Sequence, residues 1–305
     1  MKTKITQDMV ADTAALLASD TARRRDFLKV GAGIALGAGY VAAADPVMAQ
    51  AIKTDFNGIK GEEVSYKSLG VDVPAYVSKP EKPAKTGFPV VIVVSEIFGV
   101  HEYIADVTRR FAKQGYMAIA PEFFVRAGDP NLLGTVAEIQ KEIVGKTPDE
   151  QVMADIRAAI AWAGKNGGDT RRVGITGFCW GGRITWLAAA QVAEIKAGVA
   201  WYGRLVGDKT PNNPLHPVDL AAQIKAPVLG LYGSADTGIP LDTVDAMKKA
   251  LLAAPQNRAA QQSLFEIYPD APHAFHADYR NTYREGPAKD GWQKCLDWFQ
   301  KQGVV

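Results

Sequence analysis

Cysteine is scarce in this chain, with only Cys179 and Cys295 among 305 residues. Two thiols cannot make a disulfide framework, and their spacing matches no metal-binding motif. No metal and no cofactor is expected. Charge of one sign is lacking too, since 35 Lys and Arg face 33 Asp and Glu for a net charge of +2. A nucleic-acid or other polyanion partner would need a basic surplus, so that class of function is set aside. Long hydrophobic runs are also missing: the weakly apolar stretch 30–44 is too short and too rich in glycine for a dependable membrane span. No internal repeat or low-complexity tract follows it. What remains is ordinary globular composition, 47% apolar and 22% charged, with ample material for a core.

Residues 1–49 read as an address. Arg24-Arg25-Asp26-Phe27-Leu28-Lys29 precedes the Gly/Ala-rich run, and Val47-Met48-Ala49 supplies a small-residue cleavage site. The arrangement resembles a twin-arginine export signal; the alternative is a basic-flanked helix that belongs to the fold. The signal implies a periplasmic or otherwise exported protein, the twin-arginine translocon as a passing partner, and no stable membrane association after processing. Its removal would leave residues 50–305 as a single domain, with 29 basic against 28 acidic residues.

That remainder carries the rhythm of an α/β fold with a mostly parallel, twisted sheet and helices on both faces. An opening hairpin is predicted over 63–69 and 73–78, followed by strands over 90–94, 116–120, 172–176, 197–202, 228–232 and 264–268. Helices are predicted over 104–114, 149–165, 182–192 and 241–253, with a terminal amphipathic helix around 291–299 in which Cys295 reads as a core thiol.

The chain is organised around Gly177-Phe178-Cys179-Trp180-Gly181, a G-x-C-x-G sequence between a predicted strand and a predicted helix. This is the pattern of a nucleophile elbow with cysteine at its apex. The glycines are needed because strand and helix backbones approach too closely for a Cβ. The helix N-terminus beneath the apex favours negative charge on the sulfur. The plainer reading is a buried cysteine in a glycine-rich turn.

An acid and a base in the right order decide between the two. Asp236 follows the strand 228–232, and His273 follows the strand 264–268. Each alone reads as a turn or surface residue; together with Cys179 they form a candidate triad. His276 is the rival base and a candidate for the cleft wall. The backbone N–H groups of Trp180, next after the nucleophile, and of Ile97, in the loop after the strand 90–94, are the candidate oxyanion donors. Glu96 in the same loop is either an exposed acid or one that faces the thiol and opposes its ionisation.

Ser95-Glu96-Ile97-Phe98-Gly99, the segment 121–126, Gly177 to Gly182, the Gly-x-x-Asp loop and Pro272-His273-Ala274-Phe275 together resemble the dienelactone hydrolase family, the carboxymethylenebutenolidases, from about residue 63 onward. The resemblance implies an α/β-hydrolase domain with a Cys-His-Asp triad, Glu96 holding the resting thiol protonated, and Arg126 binding a substrate carboxylate. The lactonases of the family place a serine directly after the histidine and an arginine four residues beyond it. Here those positions are Ala274 and Ala277, so one carboxylate contact is missing, and Arg280 and His276 are the candidates to replace it. The function implied is cleavage of the ester bond in a small, dienelactone-like lactone. The alternatives are a broader carboxylesterase or thioesterase, or a periplasmic small-molecule binding protein on the same scaffold.

Overall fold

The structure is a computed structural model and describes residues 51–82 and 84–305. The proposed export signal lies outside the described residues. Eight strands form one sheet in the order β1-β2-β4-β3-β5-β6-β7-β8. The opening hairpin is β1 (Ile59–Ser68) and β2 (Val71–Pro80), and β2 meets β4 (Met117–Pro121) antiparallel. Every later pairing is parallel, through β3 (Phe88–Val94), β5 (Gly168–Phe178), β6 (Ile195–Trp201), β7 (Val228–Gly233) and β8 (Leu264–Tyr268).

Burial follows from the sequence. All seven residues of β3, Phe-Pro-Val-Val-Ile-Val-Val, are buried, as a central parallel strand covered on both faces requires. β1 lies at the sheet edge and alternates between buried and exposed positions. The hairpin strands run further than the alternating apolar residues suggested, because edge pairing holds polar residues such as Lys60 and Glu62 in register with Lys79 and Val77.

Seven α-helices are described: α1 (Glu102–Lys113), α2 (Val136–Glu142), α3 (Asp149–Lys165), α4 (Trp180–Gln191), α5 (Leu241–Leu252), α6 (Arg258–Gln262) and α7 (Glu285–Lys301). Side-chain alternation along β5 separates them into two layers. Gly174 is crowded by the Phe299 ring of α7, while Gly177 is crowded by Thr185 and Gly181 of α4. Phe111 of α1 packs on Trp292 and Phe299, which places α1 with α7; Arg183 of α4 pairs with Asp149 of α3, which places α4 with α3. Between the layers, the carboxyl ends of β3, β5, β6, β7 and β8 bring their following loops together. In such sheets the ligand site lies there.

Candidate active site

Cys179 sits where β5 ends and α4 begins, with φ 56° and ψ −112°. A left-handed non-glycine residue costs about 1–3 kcal/mol and persists only where surroundings over-determine it. Those surroundings are backbone. A Cβ on Gly177 would lie 2.2 Å from the carbonyl oxygen of Gly181, and one on Gly181 would lie 2.3 Å from that of Val94. The Cys179 amide donates to the carbonyl of Trp201, and the Cys179 carbonyl accepts from Gly182, so the bend is fastened on both sides. The helix starts at Trp180, two residues before the sequence suggested, with Cys179 as its N-cap. The Trp180 amide therefore belongs to the first turn, where no intrahelical acceptor exists.

His273 lies in the loop after β8, with Nδ1 2.7 Å from Oδ2 of Asp236 in the loop after β7. Asp236 is buried, and its Oδ1 accepts the amides of Gly238 and Ile239, which fixes the carboxylate. Burial opposes a charged His273. The negative charge available at Cys179 and the hydrogen bond to Asp236 outweigh it and raise the imidazole to about 10. The next residue, Ala274, is buried with φ 60°, so the backbone bends sharply after the histidine.

Ile97 and Glu96 are both buried in the loop after β3. Glu96 does not hydrogen-bond the thiol. Its Oε2 lies 3.3 Å from Nε2 of His101, and its Oε1 accepts the Tyr279 hydroxyl at 3.5 Å. Burial would raise its carboxyl, but the His101 contact and the charge of Arg280 hold it below the usual range. The expectation that Glu96 rests on the thiol is corrected accordingly. His101, at the N-cap of α1, follows no strand end where a triad base would stand and is not among the predicted site residues; the available signal is a histidine five residues after an acid at a buried strand end.

Two further expectations change. Both terminal nitrogens of Arg126 are engaged, Nη1 and Nη2 with the buried Asp155 of α3 at 2.8 and 3.1 Å, and Nη2 also with the carbonyl of Ser68 at 2.7 Å. The fork is thus occupied by the fold, where the resemblance implies a substrate carboxylate. His276 is a core residue: its Nδ1 lies 2.6 Å from the Tyr103 hydroxyl, and its ring packs on Phe178 and Trp201. Burial and the charge of Arg110 push its pKa well below the ordinary value, so it stays neutral. It lines a cavity with Arg110, Lys113 and Trp292, away from His273. Arg280 is partly exposed, stacks over Phe98 and Tyr279, hydrogen-bonds Tyr279, and its charge reaches Glu96.

Cys295 is fully buried in α7, and burial pushes its thiol well up, as befits an inert core cysteine. Among the described residues no cluster of three or more His, Cys, Asp or Glu could hold a metal ion, and no helix is long and apolar enough to cross a membrane.

The family model for "Dienelactone hydrolase family" matches residues 73–303. The chain is 51% identical to a protein of Methylorubrum extorquens provisionally named carboxymethylenebutenolidase, over 97% of this chain and 98% of that one. It is 49% identical to a protein of the same provisional name from Escherichia coli, over 87% and 96%. A crystal structure of a provisionally named dienelactone hydrolase from Klebsiella pneumoniae superposes with a TM-score of 0.77 at 53% identity, covering 80% of this chain and 99% of that one. The chain belongs to the dienelactone hydrolase family and is a hydrolase of the α/β-hydrolase fold.

Proposed function

We propose that this hydrolase cleaves the ester bond of a small, dienelactone-like lactone, with Cys179 as nucleophile, His273 as proton carrier and Asp236 as the group that fixes the imidazole. The observation that carries the reading is the 2.7 Å contact between Asp236 and His273, on loops that flank a cysteine held at a left-handed bend. The thiolate attacks the carbonyl carbon, and the carbonyl electron pair moves onto oxygen, where the amides of Trp180 and Ile97 receive the charge. Collapse breaks the ring C–O bond, the imidazolium of His273 protonates the departing oxygen, and a thioester remains on Cys179. Water then gives a proton to His273, attacks the thioester and releases the sulfur. A thiolate leaves a tetrahedral adduct more readily than an amide nitrogen does, so the chemistry suits activated esters.

Arg280 is the cation we assign to a substrate carboxylate, since it is partly exposed and its charge reaches Glu96 in the loop beside the elbow. A broader carboxylesterase or thioesterase is the second reading, and one observation favours it: Glu96 offsets the charge of Arg280. Rates on matched lactones with and without a carboxylate separate the two. If Arg280→Gln lowers kcat/KM for the charged lactone alone, carboxylate recognition stands; equal rates on both lactones in the parent enzyme would remove it. We further propose export by the twin-arginine route. Replacing Arg24 and Arg25 with lysine should leave the protein in the cytoplasmic fraction, whereas unchanged fractionation would refute this.

A further inference from the structure

The sheet register places Glu96 beside the nucleophile. β3 and β5 run parallel with Val94 opposite Gly177, and two residues further along each chain stand Glu96 and Cys179. The close approach continues beyond the strands, because a Cβ on Gly181 would lie 2.6 Å from the carbonyl oxygen of Ser95. The carboxylate nevertheless turns away, onto Nε2 of His101 and the Tyr279 hydroxyl. The imidazole of His101 makes no capping bond to α1, although His101 is its N-cap residue. Its ring is held in place by Tyr103, stacked at 5.9 Å, and Tyr279, edge-on at 5.1 Å.

A second position for the carboxylate is prepared on the thiol side. The hydroxyl of Tyr202 is buried without a hydrogen-bond partner among the described residues, and both Glu96 and Cys179 act on it electrostatically. A carboxylate turned that way would gain the Tyr202 donor. It would also set a negative charge against the sulfur and compete with His273 for the thiol proton, which disfavours ionisation.

We propose that His101 is the positioning residue that holds Glu96 off Cys179, so that the resting nucleophile faces His273 and is reactive before any ligand arrives. The proposal rests on Cys179 being the nucleophile, and its test is read separately from that assignment. The readout is the second-order rate of alkylation of Cys179 by iodoacetamide at neutral pH on the full chain, with the labelled site fixed by mass spectrometry and by a Cys179→Ala control.

His101→Phe should slow alkylation by about tenfold or more, the scale of an adjacent like charge. His101→Gln, which keeps a donor at that place, should restore it. Adding Glu96→Gln to His101→Phe should restore it too, and a merely structural defect would not be rescued in that way. If His101→Phe does not fold, His101→Asn, too short to reach Glu96, carries the same expectation. An unchanged alkylation rate, or a loss that Glu96→Gln leaves in place, overturns the proposal. Ester hydrolysis that survives Cys179→Ala would instead refute the nucleophile assignment.

Discussion

Nδ1 of His273 and Oδ2 of Asp236 stand 2.7 Å apart, and the second carboxylate oxygen of Asp236 is fixed by two backbone amides. The acid can therefore select one imidazole tautomer, leaving Nε2 for proton transfer. Asp236→Asn keeps the shape but puts the wrong tautomer in place. A loss of about 10³- to 10⁴-fold in kcat with KM little changed is expected in steady-state kinetics.

The raised pKa of His273 makes stability depend on pH in a definite direction. Its native value is about 10 against 6.5 for the free imidazole, so between these values the folded chain binds more protons than the unfolded one. The contribution is complete below the lower value and is lost as pH rises through the upper one. Urea unfolding from pH 6 to pH 10 should show falling stability in the parent chain, and His273→Gln should flatten the slope.

Arg126 is predicted to act on stability and not on substrate binding. Removing one partner of a buried ion pair costs about 3–5 kcal/mol, and the partial exposure of Arg126 reduces the figure to about 2–4 kcal/mol. Arg126→Ala should lose that much in urea unfolding while KM for a carboxylated ester stays within about twofold. A large KM change with unaltered stability would reverse the assignment.

The elbow glycines give a steric prediction. The Cβ of Gly181→Ala would lie 2.3 Å from the backbone oxygen of Val94, and no side-chain rotation relieves a contact with backbone. Strand and helix would have to part, at a cost of roughly 3 kcal/mol or more. The variant is expected to be poorly soluble or to unfold several degrees lower, with activity lost in the folded fraction.

How far the sequence disclosed this arrangement depended on whether the signal was local. β3 is legible because seven consecutive residues are wholly buried, and the elbow because two glycines answer a clash inside five residues. Partners distant in sequence were not legible. Arg126 and Asp155 lie 29 residues apart, and charge patterning reveals that a cation exists, not which anion meets it. His273 and His276 looked interchangeable three residues apart. The left-handed bend at Ala274 separates them, leaving one against Asp236 and the other in an aromatic core. Sequence spacing cannot show that bend, because alanine seldom adopts it.

Ala274 and Ala277 stand where the resemblance to the family's lactonases implies a serine and an arginine, and both are buried here. An alanine side chain at either place in the loop offers a carboxylate no hydrogen bond. Arg280 is the residue of that loop whose charge reaches Glu96.

The most direct measurement is hydrolysis of an activated ester by the parent chain and by Cys179→Ala, each followed by intact-mass spectrometry during turnover. A transient acyl adduct on Cys179 is expected in the parent chain, with neither adduct nor hydrolysis above background in the variant. Hydrolysis by Cys179→Ala at the parent rate would contradict it.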